Sequence, residues 1–142
     1  MSDDNVAIMK AYYEAWNGTD SSELDRFVAD DFVAHDPAGG PDFDREGLKQ
    51  RMDLLRAMLQ GFRLTLEHVL AQDDLVAYRW RTDGTFVGEA SPGDSGGTPV
   101  SFTGNTIYRL REGRIAELWN EWDNLRFLTA IGQAPDTSVA VD

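Results

Sequence analysis

Two acids and a large aromatic ring share one face of residues 113–125, GRIAELWNEWDNL. The stretch reads as a strand entered through a turn at 111–113. Alternate side chains of a strand point to opposite faces. The odd positions are Ile115, Glu117, Trp119, Glu121 and Asp123; the even ones are Ala116, Leu118, Asn120 and Trp122. A solvated face rarely carries tryptophan, and a dry core rarely accepts two unpaired carboxylates. A pocket wall accommodates both. Trp119, Glu121 and Asp123 are therefore expected on such a wall, with carboxylates available for general acid–base work. A plainer reading weighs at least as much for Asp123. It precedes LRFLTAIG, a short helical pattern, and an aspartate at a helix start caps free backbone N–H groups.

Three further places hold residues capable of chemistry. Arg81 and Asp83 alternate on one strand face, an Arg-x-Asp that Glu121 or Asp123 could oppose. A cross-strand ion pair on the solvated face accounts for it more simply. His35 closes the string FVAHD just before Pro37. A lone histidine there is ordinarily a hydrogen-bonded surface residue, and it matters only if the fold brings it to the cavity of Asp123. Tyr13 and Trp16 end an apolar helical stripe. Core packing is their first explanation, although either ring can face a cavity.

The elements that position these residues follow from periodicity. Residues 4–17 form an amphipathic helix, with Val6, Met9, Tyr13 and Trp16 on one stripe and Asn17–Gly18 ending it. Residues 22–28 make a short helix, with Ser22 and Asp25 in capping-box spacing. Residues 32–36 are a short extended piece stopped by Pro37 and Gly39–Gly40–Pro41. Residues 44–59 form a third helix that carries Leu48, Met52, Leu55 and Leu59, capped by Asp44 and closed by Gly61. From residue 62 the period becomes two. Strands are expected at 63–72, 74–86, 100–110 and 114–123, with Leu64, Leu66, His68 and Leu70 on one face of the first. The Gly/Pro-rich segment 88–99 is the loop between two of them. Helices followed by an antiparallel meander give an α+β domain. A curved sheet under helices leaves a cone-shaped cavity. One domain over 1–133 is expected, with a loose tail over 134–142.

Composition narrows the functions. The 142 residues are 42% hydrophobic and 27% charged, ordinary for a globular chain. There is no cysteine, which excludes thiolate catalysis and cysteine-ligated metal sites. The net charge is −12, with 25 acids against 13 basic residues. Binding to nucleic acid needs a basic footprint, so neither nucleic acid nor an anionic membrane is expected as a partner. No basic and apolar leader opens the chain, and a cytoplasmic location is expected.

The strings FVAHDPAGG (32–40), GLKQRMDLLRAM (47–58), LVAYRWRTDGTFVGE (75–89) and VSFTGNTIYRLREGRIAELWNEWDNL (100–125) resemble the SnoaL-like polyketide cyclases. These belong to the nuclear-transport-factor-two-like superfamily of cone-shaped α+β barrels. The resemblance implies three N-terminal helices on a curved, mainly antiparallel sheet. It also implies intramolecular aldol closure, or a related isomerisation, of an apolar carbonyl-bearing small molecule. The family's acid/base falls on Asp123, and no metal or organic cofactor is implied. Tyr13, Trp16, Trp119 and Glu121 would contact substrate, with His35, Asn105 and Thr106 as further polar contacts. A homodimer through the outer sheet face is also implied, to which Trp80 and Trp122 would contribute if they lie there. Two other readings remain open. Arg81, Asp83 and Glu121 look like the acid–Arg–acid set of limonene-type epoxide hydrolases. Alternatively, the fold is a non-catalytic dimeric module that binds a small ligand.

Overall fold

A computed structural model describes residues 2–87 and 97–132. Of the loop expected over 88–99, residues 88–96 lie outside the described residues, as does the expected tail, and Thr98 and Pro99 already belong to a strand. Helix α1 (Ser2–Trp16) buries Met9, Tyr12 and Tyr13. It ends where the Asn17 amide docks on the sheet, donating to the Leu64 carbonyl at 2.8 Å and accepting from the Leu64 N–H at 2.7 Å. The next turn is a 3-10 helix, Ser21–Arg26. Its cap is Asp20, which accepts from the Ser22 N–H and hydroxyl, in place of the expected Ser22–Asp25 pair. Helix α2 (Arg45–Met58) starts on Asp44, whose carboxylate accepts from the Gly47 N–H at 2.9 Å.

Five strands follow the first turn: β1 (Val28–His35), β2 (Leu59–Gln72), β3 (Leu75–Phe86), β4 (Thr98–Arg111) and β5 (Arg114–Trp122). The sheet order is β1-β5-β4-β3-β2. β1 pairs parallel with β5 and every other pairing is antiparallel. The extended piece at FVAHD is thus a fifth strand of the sheet. Gly61 does not close α2. The helix passes directly into β2, and Gly61 takes φ 67° inside that strand, where the register with β3 shifts. The β4–β5 turn places Glu112 at φ 54° and Gly113 at φ 77°, the left-handed pair that a tight hairpin needs. Helix α3 (Asn124–Ala130) closes one end of the sheet through Phe127, whose ring lies 5.3 Å from Phe102 and 6.1 Å from Phe86.

Two bulges reverse faces that simple alternation assigns. In β2, Leu66 pairs with Trp80 and His68 with Arg79, so Glu67 is the extra residue. Leu64 and Leu66 pack on the core, but beyond the bulge Val69 and Ala71 do so, and Leu70 is 75% exposed. In β5, Ile115 pairs with Leu110 and Glu117 with Arg109, which leaves Ala116 extra. Ile115 is buried, yet Glu117, Trp119 and Glu121 leave by the outer face, and Leu118, Asn120 and Trp122 point inward. An inserted residue flips everything beyond it.

Candidate functional site

The inner face and the helices enclose a cavity of about 250 Å³, at the small end for ligand pockets. Trp80, Thr106 and Asn120 line it from the sheet, Tyr12, Tyr13 and Trp16 from α1. Arg51 and Leu55 line it from α2, and Phe127 from α3. The tyrosines form one end. Tyr13 and Tyr108 hydroxyls lie 3.3 Å apart, and the Tyr12 ring packs edge-on against both. Burial pushes the Tyr12 pKa up to about 12 and those of Tyr13 and Tyr108 well above their ordinary value. These hydroxyls keep their protons, and one of Tyr13 and Tyr108 donates to the other.

The cavity also holds a carboxylate, that of Asp36, only 6% exposed. It follows β1 in the phase of buried Phe32 and Ala34. Trp122 Nε1 donates to its Oδ1 at 3.1 Å, and Asn120 Nδ2 donates to its Oδ2 at 3.3 Å. The Arg51 guanidinium lies 3.8 Å from Oδ2 and stacks over Phe43 at 4.0 Å. All three neighbours present N–H groups, which suits a carboxylate acceptor. The arrangement sets a buried carboxylate, a group able to give or take a proton, in a mainly aromatic and aliphatic chamber with a cation beside it.

Of the residues singled out in the sequence, Tyr13, Trp16 and Thr106 line this cavity. Trp80 and Trp122 line it as well, rather than the outer face. Trp119 and Glu121 belong to the outer face, because the Ala116 bulge sets their phase, and Asn105 does so by alternation with buried Thr106 in β4. Arg81 and Asp83 are also on that face. Arg81 Nε donates to Asp83 at 2.9 Å and its NH1 lies 3.4 Å from Glu67. Against the burial that would raise it, hydrogen bonds from Arg81 and Ser101 hold the Asp83 carboxyl below its ordinary value. This is an ion pair outside the cavity, and it does not meet Glu121 as an acid–Arg–acid set. Asp123 caps α3, accepting from the Arg126 N–H at 3.0 Å, and is not among the cavity's lining residues. Asp123→Ala is expected to cost about 1 kcal/mol in urea unfolding, a lost cap, with turnover intact. Lost turnover at full stability would return the catalytic role to Asp123.

Sequence reasoning passed over Asp36, Arg51 and Asn120. The signal for Asp36 was present, since Phe32, Ala34 and Asp36 alternate on the apolar side of FVAHD.

Residues 6–131 match the family described as SnoaL-like polyketide cyclase. The chain belongs to that family. Among solved structures, this SnoaL-like chain is similar to wild-type IdmH, a candidate polyketide cyclase from Streptomyces antibioticus. The two share 30% identity, covering 90% of this chain and 98% of the other, at TM-score 0.75. It is also similar in fold to AclR, a candidate hydroxylase from Streptomyces galilaeus (21% identity, 99% and 93% covered, TM-score 0.82). TsrD from Streptomyces laurentii is a further neighbour (20% identity, 94% and 98% covered, TM-score 0.80). The search of curated proteins returned no match. Within this SnoaL-like fold, a curved mixed sheet left open, no described helix is long and apolar enough to cross a membrane.

His35 is a hydrogen-bonded residue of the outer face and does not line the cavity. It is stacked on Trp119, between Asp42 at 2.9 Å and Glu117 at 2.7 Å. The hydrogen bond to Glu117, opposed by burial and reinforced by Asp42, raises its pKa. A raised histidine pKa stabilises the fold fully below the unfolded value of about 6.5, and the gain fades as pH rises through the folded value. Stability measured by urea midpoint should therefore fall as pH rises above about 6.5 in this SnoaL-like chain. His35→Gln should flatten that slope; an unchanged slope would assign it to other groups.

Proposed function

We propose that this protein is a cyclase-type enzyme that performs aldol closure, or a related enolisation, on a compact apolar carbonyl compound, with Asp36 as the acid/base. The buried carboxylate of Asp36, aimed into an aromatic cavity beside Arg51, carries this reading. Asp36 removes a proton next to a carbonyl; the C–H bond breaks and its electron pair enters the enolate. The enolate carbon attacks a second carbonyl carbon, a C–C bond forms, and the resulting alkoxide takes the proton held by Asp36. Nothing is lost from the substrate and the carboxylate is restored. Arg51 lies where it offsets the negative charge on oxygen. The half-reaction can be read without the true substrate, as deuterium exchange at the α-carbon of 2-tetralone in D₂O, followed by NMR. Catalysed exchange supports the reading. Binding of 2-tetralone without exchange, or no binding at millimolar concentration, would overturn it.

A homodimer through the outer sheet face goes with this reading. Ile107, near the middle of β4, is 43% exposed there. Light scattering at micromolar concentration should give twice the chain mass, and a single-chain mass removes the dimer.

A further inference from the structure

We propose that Asn120 is a second catalytic residue, an oxyanion donor whose orientation Trp80 and Thr106 fix; this rests on the acid/base reading of Asp36. Three hydrogen bonds form one directed chain that ends on Asp36, and a fourth reaches Asp36 from Trp122. Trp80 Nε1 donates to Thr106 Oγ1 at 2.9 Å. Thr106 Oγ1 donates to Asn120 Oδ1 at 2.6 Å. Asn120 Nδ2 donates to Asp36 Oδ2 at 3.3 Å, and Trp122 Nε1 donates to Asp36 Oδ1 at 3.1 Å. An indole N–H can only donate, so the Thr106 hydroxyl accepts from Trp80 and spends its own proton on Asn120. A reversed amide would set its carbonyl oxygen against the Asp36 carboxylate. The amide nitrogen is thereby fixed on the side of Asp36.

A primary amide has two N–H bonds. One of Asn120's holds Asp36. The other has no acceptor among the described residues, and Asn120 lines the cavity. A donor and an acceptor thus stand 3.3 Å apart facing the same space. An enolisable ketone offers the complementary pair, a carbonyl oxygen beside an α-hydrogen. With the oxygen on Asn120 and the hydrogen toward Asp36, the C–H electron pair becomes the new C=C bond and the carbonyl π pair moves onto oxygen as the proton passes to the carboxylate. The free N–H then meets the charge as it forms, which is where a preorganised donor accelerates most. Thr106 touches the amide's other end and Trp80 holds Thr106, so both act as positioning residues. The substrate class follows: a ketone of one or two rings, given about 250 Å³ of cavity, with at least one α-hydrogen.

The 2-tetralone exchange assay separates this inference from the reading beneath it. Asn120→Leu should lower kcat for exchange by about 100-fold, the usual effect of losing one oxyanion donor, with little change in KM. Thr106→Val should lower kcat about tenfold and Thr106→Ser should restore it, a rescue that a mere packing role would not show. If exchange depends on Asp36 but Asn120→Leu retains the wild-type kcat, the inference fails and the acid/base reading stands. It fails equally if Thr106→Ser is as impaired as Thr106→Val. If Asn120→Leu does not fold, the Thr106 pair decides. If wild type shows no exchange, both fall together.

Discussion

Asp36→Asn takes the exchange of 2-tetralone down by about 10³-fold, mid-range for loss of a positioned general base, while the ketone still binds. The size of the effect follows from the company Asp36 keeps. No other carboxylate lines the cavity, so none among the described residues can take over. Asparagine preserves the volume, and its amide oxygen can still accept from Trp122 or Asn120, so the chamber should keep its shape. What disappears is the group able to hold a proton between the two halves of the reaction. Quenching of Trp16, Trp80 and Trp122, which line the cavity, reads ligand binding in the same sample. Exchange retained in Asp36→Asn would mean that another group is the base. Asp123 would then be tested next, since the family resemblance points to it.

Gly104→Ala is the second large effect, through packing. Gly104 sits in β4 between Trp80 on β3 and Trp122 on β5. A Cβ there would lie 2.7 Å from Trp80 Cε2 and 2.8 Å from Trp122 Cβ, with the neighbouring Trp80 Cζ2 closer still. Both rings are confined. Trp80 is 8% exposed and packs edge-on against Phe102 at 6.0 Å. Overpacking of this kind costs about 1–3 kcal/mol. The added methyl displaces the two indoles whose N–H groups orient Thr106 and Asp36, so exchange should fall with stability. A lowered melting temperature with exchange down about tenfold or more at 20 °C is the expected result. Unchanged melting and full exchange would show that the sheet yields at this point, and that the indole positions are less constrained than the contacts imply.

The class of architecture and most element boundaries were legible in the residues alone. The stripes at helical spacing became α1 and α2, the period-two runs became β2 to β5, and the family strings matched over residues 6–131. Asp44 and Asp123 cap helices as local chemistry requires. Those features are set within a few residues, so propensity and periodicity report them. The tertiary structure decided which side chains meet. The single extra residues at Glu67 and Ala116 shift the phase of β2 and β5, and a bulge depends on the partner strand's register, which periodicity along one strand does not contain. The same holds for the parallel pairing of β1 with β5, which sets His35 opposite Trp119. That pairing leaves Asp36 beside Asn120 and Trp122, residues 84 and 86 positions away in the chain. The acids that alternate most plainly in the sequence, Glu117 and Glu121, are outside because of the extra residue at Ala116. The carboxylate in the cavity is the one that only long-range pairing could select.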